Sequence, residues 1–209
     1  MPIVLSTQSQ IELVDLDRRD AGEAARLLAD AFLDDPAWSA GSPRRRGHRG
    51  IANRISFRAL LHASRRSCGT VRGVRSGQSL HGVAVSFDPG LWPIPDHAGL
   101  LDLLWLFIAG PAPARRAYRD DETMRGVHML DPHLYLWVVG VEPAAQGRGL
   151  GRALIEDAIN RAQAHSVPVY LETATQQNLE MYLQLGFQLL GEVALPSGVR
   201  MRRLEHPAR

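Results

Sequence analysis

A single mixed α/β (α+β) domain is the fold class that three features of this sequence predict. β-branched and aromatic runs alternate with amphipathic runs along the chain. Strand, glycine-rich turn and helix follow one another in VVGVEPAAQGRGLGRALIEDAI, Val138 to Ile159. No repeat, low-complexity block or long linker divides the 209 residues, a length that suits one sizeable core. The expected arrangement is a mixed central sheet flanked by helices, with a helical insertion before the fourth strand.

Each element has its own signal. Ile11–Val14 reads as the first strand. Asp20 suits an N-cap, and Ala24, Leu27, Leu28, Ala31 and Phe32 keep the spacing of one helical face. Asp34-Asp35-Pro36 then stops that helix, because proline forbids a smooth continuation. Ile51, Ile55, Leu60 and Leu61 mark a second helix over 44–64. Val71–Arg75 and Leu80–Phe87 are strands joined at Ser76-Gly77-Gln78, with Asp88-Pro89-Gly90 closing the second. Between 90 and 130 the pattern predicts two helices. Leu100–Ile108 is apolar almost all round, as a buried helix is, with Trp105 in the core; Ala114–Val127 follows the breakers Pro111 and Pro113. His133–Val141 is a strand, Gly149–Ala164 a helix, Val167–Thr173 a strand and Gln176–Leu185 a short helix. Phe187–Leu204 is a terminal hairpin around Pro196-Ser197-Gly198.

Composition excludes several chemistries. The 24 basic residues are all arginine. Without lysine there is no Walker-type phosphate loop and no Schiff-base or pyridoxal chemistry. One cysteine, Cys68, allows neither an intrachain disulfide nor a cysteine-based zinc site, and between Arg66 and Arg72 it reads as inert. No metal is expected. Ala98–Ala109, the longest apolar run, contains Asp102 and is too short to span a bilayer, so no membrane partner is expected. Residues 1–10 carry no signal-peptide pattern, which points to the cytoplasm. Arg44 to Arg75 is rich in arginine and free of acidic residues. It reads as a solvated helix face and not a nucleic-acid site, since Phe57 is the only aromatic there for bases to stack on.

The glycine-rich turn is the strongest functional signal. Leu150, Leu154, Ile155, Ala158, Ile159 and Ala162 form one apolar stripe, so the helix begins within Gly147–Gly151. Its first N–H groups then lack intrahelical partners, and with the helix dipole they make an anion site. Gly147, Gly149 and Gly151 let a phosphate approach the backbone, and Arg148 and Arg152 add charge-assisted contacts. A dinucleotide is the competing occupant, with Glu172 where a ribose-binding acid would sit. The spacing is G-x-G-x-G, however, and the residues after Thr173 are too few to complete a doubly wound sheet.

Val139-x-Val141-x-Pro143, then Gln146-x-x-Gly149-x-Gly151, then Asn178-x-x-x-Tyr182-x-x-x-Gly186-Phe187 together resemble the GNAT superfamily of N-acetyltransferases. The resemblance is dense from about 133 to 204, weaker before Pro89, and absent from 90–130. HLYLWVVGV, PVYLETATQQN and YLQLGF are most similar to the puromycin N-acetyltransferase branch. The resemblance implies one GNAT-type domain over 1–209, with acceptor-side helices and insertion at about 20–65 and 90–130 and an acetyl-CoA-binding core at about 133–204. Acetyl-CoA is the implied co-substrate. Its pyrophosphate would lie on Gln146, Gly147, Arg148, Gly149, Gly151 and Arg152, and its pantetheine arm along Val139 and Val141.

Acetylation of an amine needs a base, a donor for the carbonyl oxygen and an acid for the leaving thiolate. By resemblance Tyr182 takes the acid role, with Asn178 one turn before it holding the cofactor arm or a water; a core tyrosine and a helix cap are the plainer alternatives. Glu172 is the first choice of base and His133 the second, while Glu142 is expected to face solvent. Phe32, Asp34, Asp35, Trp38 and Trp92 are candidates for the acceptor wall, where the aspartates suit a cationic amine. The expected reaction is acetyl transfer to a primary amine of a small molecule. A protein or peptide amine, and a non-catalytic acyl-CoA-binding module, are the alternatives, and a homodimer is open.

Overall fold

The computed structural model describes residues 11–93 and 100–208. The residues read for a signal peptide, 1–10, lie outside these. β1 (Ile11–Asp15) leads to α1 (Ala21–Ala31), α2 (Pro36–Ala40), α3 (Arg46–Arg66), β2 (Thr70–Ser76) and β3 (Ser79–Phe87). Then come α4 (Leu100–Ala109), α5 (Pro111–Arg125), β4 (Leu134–Val141), α6 (Leu150–Ala164), β5 (Val169–Thr173), α7 (Gln176–Gln184), β6 (Gln188–Ala194) and β7 (Arg200–His206). The described strands form one sheet of order β1-β2-β3-β4-β5-β7-β6, and among them only β4 and β5 run parallel.

Each face of the sheet buries its own core. α1 and α3 bring Leu28, Phe57 and Leu61 onto one face against Val83, Val85 and Val138. α6 and α7 bring Leu154, Ile155 and Tyr182 onto the other against Leu134, Leu171 and Leu204. Both apolar stripes read from the sequence therefore point where their spacing says.

Two irregularities in β4 shape the centre of the sheet. Its parallel register with β5 covers only Leu134 and Tyr135, so from Leu136 onward no described strand pairs with it on that side. A register shift opposite Val85 and Ser86 leaves Trp137 without a partner on β3. Such a bulge bends the strand and re-aims its side chains.

Several expectations change. Asp35-Pro36 ends α1 but opens α2: the Asp35 carboxylate accepts from the N–H groups of Ala37 and Trp38, and proline occupies the first turn. Pro111 and Pro113 likewise lie in the first turn of α5 instead of preceding it. Asp20 sits at the N-cap of α1 without capping it; its carboxylate accepts from Asp17 N–H and pairs with Arg75. Glu142 is paired with His81 at 3.0 Å and not simply solvated.

The largest correction concerns α4, which is not a buried helix. Leu103, Leu104, Leu106 and Phe107 are exposed, Phe107 at 87%, while the side chains of residues 100–102 lie outside those described. An all-round apolar pattern cannot distinguish a helix buried on every side from one packed along a single edge. The arginine-rich stretch divides in two. Arg44, Arg45, Arg46, Arg54, Arg58 and Arg66 are exposed, whereas Arg72 pairs with Asp15 and Asp157, and Arg75 with Asp20 and Glu23.

Candidate active site

A cavity of about 330 Å³ opens where β4 and β5 diverge. Tyr135, Trp137 and Val139 of β4, Glu172 of β5, and Asn178 and Tyr182 of α7 line one side. Phe32, Asp35 and Trp38 close it from the region of α1 and α2, and Trp105, Asp120 and Asp121 from α4 and α5. α5 is fastened over the cavity by Arg116, which donates to Ala40 C=O at 2.8 Å, and by Asp120, which accepts from Ser197 N–H at 3.0 Å.

The aromatic wall is rigid. Trp38 packs on Phe57 with centroids 4.2 Å apart and meets Phe32 edge-on at 5.8 Å. Asp35, Asp120, Asp121 and Glu172 all face the cavity, and among the described lining residues there is no arginine or histidine. Burial raises the Asp35 carboxyl pKa against the opposing effect of its two N–H donors. Such a wall favours a cation, through carboxylates and aromatic faces together.

Tyr182 and Glu172 reach this space in different states. Tyr182 is buried among α7 and core residues and meets Phe187 edge-on at 5.3 Å. No hydrogen bond engages its hydroxyl among the described residues, and burial pushes its pKa up, so it holds its proton. Glu172 accepts from the Tyr135 hydroxyl at 2.8 Å, and its other oxygen lies 3.3 Å from His128 Nδ1. Burial, followed by the Glu172 charge, keeps Tyr135 protonated as the donor.

The glycine-rich turn lies at the C-terminal end of β4. Gly147 and Gly149 adopt left-handed φ of 76° and 80°, and a Cβ on either would meet nothing within 4 Å. Gly149 caps α6 without a side-chain bond, and the first intrahelical bond of the segment is Ala153 N–H to Gly149 C=O. The N–H groups of Leu150, Gly151 and Arg152 thus have no intrahelical partner, as an oxyanion would need. Arg148 and Arg152 are exposed beside them, in no ion pair among the described residues. Gln146 turns back, donating to Val141 C=O at 3.2 Å. The turn and the uncovered edge of β4 fit a pyrophosphate joined to an extended amide-bearing arm, which is the shape of coenzyme A.

The sequence-predicted residues are partly assembled. Tyr182, Glu172, Asn178, Val139, Phe32, Asp35 and Trp38 meet in one cavity. Asn178 is not the α7 cap: Thr175 caps it by accepting from Asn178 N–H at 3.2 Å. Asp34 is turned away and pairs with Arg46 at 2.9 Å. Trp92 does not line the cavity; it stacks on His128 with centroids 3.5 Å apart. His133 is also outside, behind Glu172, with its Nε2 3.1 Å from His128 Nε2. Trp105, expected in the core, is a wall residue. His128, Asp120, Asp121 and Trp137 were not predicted. A His-x-x-x-x-His pair before a strand is the sequence trace of the first, but no periodicity betrays a loop histidine. Among the described residues no group of three or more His, Cys, Asp or Glu is placed to hold a metal ion. None of their helices is long and apolar enough to cross a membrane.

Comparison with known proteins gives a consistent result. Residues 101–187 match the model of the Acetyltransferase (GNAT) family. The chain is 31% identical over 107 residues to a mycothiol acetyltransferase of Thermomonospora curvata, covering 48% of this chain and 35% of that protein. It is 38% identical over 53 residues to the N-alpha-acetyltransferase RimI of Mycobacterium tuberculosis, covering 25% of this chain and 34% of that protein. The chain thus spans about a third of the length of these curated relatives. Among solved structures, a Corynebacterium glutamicum protein described as histone acetyltransferase HPA2 and related acetyltransferase superposes with a TM-score of 0.72 at 24% identity, covering 95% of this chain and 97% of that one. yncA of Salmonella typhimurium, solved with its cofactor acetyl-CoA, gives 0.56 at 16% identity, covering 93% and 92%. The fold is a single GNAT domain.

Proposed function

We propose that this chain is an acetyl-CoA-dependent N-acetyltransferase acting on a small cationic amine. One observation carries the reading: Glu172 and Tyr182 share a cavity whose described walls hold four carboxylates, several aromatic rings and no basic side chain. An ammonium substrate is attracted there, and an anionic one repelled. Bound acetyl-CoA supplies an activated acetyl group and a thiol leaving group. Gln146–Arg152 would hold its pyrophosphate, and the β4 edge from Trp137 to Val141 its amide arm. Glu172 takes a proton from the ammonium, making the amine nucleophilic. A main-chain N–H of the uncovered β4 edge serves the developing oxyanion. Tyr182, which burial keeps protonated, gives its proton to the departing sulfur.

The small-molecule reading gains support from the insertion, since α4 and α5 wall the cavity where a protein substrate would need an open groove. The likeness of HLYLWVVGV, PVYLETATQQN and YLQLGF to the puromycin N-acetyltransferase branch agrees with it. The RimI relative favours a second reading, acetylation of a protein N-terminus. We place the whole chain in one acetyltransferase domain of the cytoplasm, with acceptor-side helices at about 20–65 and 90–130 and the cofactor core at about 133–204. Calorimetric titration tests the premise: acetyl-CoA is expected to bind, and the absence of heat at millimolar concentration would overturn the cofactor assignment. Thiol release with diamines and aromatic amines is expected to exceed that with an alanine-terminated peptide; the reverse order would favour the second reading.

A further inference from the structure

The carboxylates of the acceptor cavity are not equivalent. Glu172 is engaged on both oxygens, by the Tyr135 hydroxyl at 2.8 Å and by His128 Nδ1 at 3.3 Å. Asp121 is paired with Arg125 at 2.7 Å. Asp35 caps α2, its Oδ1 accepting from the N–H groups of Ala37 and Trp38. Asp120 has no such balance. It is 8% exposed, and its Oδ1 accepts one bond, from Ser197 N–H at 3.0 Å. No arginine or histidine among the described residues pairs with it, and its Oδ2 has no partner among them. Oδ2 is open all the same, for the described side-chain atoms buried without a partner are the Tyr170 hydroxyl and Arg203 Nε. The space it opens onto is the cavity that Asp120 lines.

The surroundings of Asp120 offer its charge little else. Ala117 and Met124, one turn before and after it on α5, line the cavity beside it, as do Leu195 and Met201. None of these side chains carries a charge or a strong donor. A carboxylate taken out of water needs a cation or several donors, and here the chain supplies one N–H. Asp120 also stands apart from Glu172. β7 runs antiparallel to β5, with Arg203 opposite Glu172 and Arg202 opposite Thr173. Ser197 precedes β7, so the turn to which Asp120 is bonded lies beyond the C-terminal end of β5. The cavity therefore has one carboxylate on β5 and a second, uncompensated one toward the β6–β7 turn.

We propose that the acceptor is a dication, a short α,ω-diamine whose reacting nitrogen lies at Glu172 and whose second ammonium binds the open oxygen of Asp120. The proposal rests on the acetyl-transfer reading and names the substrate class of that site. An ammonium at Asp120 makes a charge-assisted hydrogen bond among apolar neighbours, where it is stronger than in water. It supplies the cation that the chain itself withholds from this carboxylate. The two ends of the diamine then have different fates. The nitrogen at Glu172 gives up its charge and receives the acetyl group, while the one at Asp120 stays protonated. Asp120 thus sets which amines are held, and by fixing the far end it positions the near nitrogen for attack. A monoamine of the same length lacks that anchor and leaves the Asp120 charge unpaired.

Steady-state kinetics on the full chain tests this, first without any variant. Among α,ω-diamines of increasing length, kcat/KM is expected to peak at one length. There it should exceed that of the n-alkylamine of equal length by about tenfold or more, chiefly through KM. Equal values for diamine and monoamine at every length, while either is acetylated, overturn the dicationic acceptor alone. Asp120→Asn leaves an oxygen for Ser197 N–H and removes the charge, so the diamine preference is expected to fall about tenfold through the diamine KM. Asp120→Glu carries the charge one methylene further into the cavity and is expected to keep the preference with a shorter optimal chain. Asp34→Asn makes the same change of charge outside the cavity and is expected to keep the wild-type preference. A preference that survives Asp120→Asn, or that falls equally in Asp34→Asn, overturns the assignment to Asp120. A wild type that binds acetyl-CoA and acetylates no amine overturns the transfer reading, and the dicationic acceptor with it.

Discussion

Tyr182 and Glu172 approach one cavity from neighbouring elements with opposite proposed proton tasks, and the residue-scale predictions follow from their surroundings. Tyr182→Phe removes the proposed acid and keeps the ring against Phe187, so kcat is expected to fall about 10²-fold while the calorimetric affinity for acetyl-CoA holds. Asp35 is one residue whose titration affects stability. Burial raises its carboxyl pKa above 3.8, so the folded chain holds that proton more tightly than the unfolded one. The resulting stability is complete below the unfolded value and is lost as pH rises through the folded value. Asp35→Asn keeps an oxygen to cap α2 and removes the titration. Melting curves between about pH 3 and pH 7 are expected to show its gain over wild type growing with pH. At this scale the sequence was readable wherever a residue sits at fixed offset from a motif, as Tyr182 does from Asn178 and Gly186. It was silent on His128 and Asp120, whose roles arise from contacts made across the chain.

At the scale of elements, the proposed cofactor side is built from local rules and the proposed acceptor side is not. The α6 N-terminus follows from Gly147 and Gly149 holding left-handed backbone ahead of an apolar stripe. Gly149→Ala meets no steric neighbour, so its cost is the backbone conformation alone, about 1 kcal/mol by thermal unfolding. Weakened acetyl-CoA binding is expected beside it, because the methyl group stands where the phosphate would approach. The strands and helices of 133–204 were legible because glycine, proline and period-two alternation agree there. α2 was missed because Asp35-Pro36 is equally a helix stop and a helix start. α4 was misread because hydropathy does not say how much of an apolar helix its own chain covers. The bulge at Trp137 and the early parting of β4 from β5 leave no mark in either strand alone, since both are properties of a pairing.

Across the whole molecule, the two cores on opposite faces of the sheet meet at β4 and β5, and the cavity lies where those strands separate. Phe57, fully buried on the α3 face, supports Trp38 from behind. Phe57→Ala is expected to cost about 3–5 kcal/mol in denaturant unfolding and to raise KM for the acceptor without changing that for acetyl-CoA. This is the signature of an acceptor wall anchored in the core distant from the phosphate turn. The most direct test of the account is product formation from acetyl-CoA and a panel of small amines, followed by thiol release and product mass. The account predicts acetylated product from cationic amines, with anionic amines poor acceptors and the reaction strongly reduced in Glu172→Gln. Equal turnover of anionic and cationic amines, or undiminished turnover in Glu172→Gln, would contradict it.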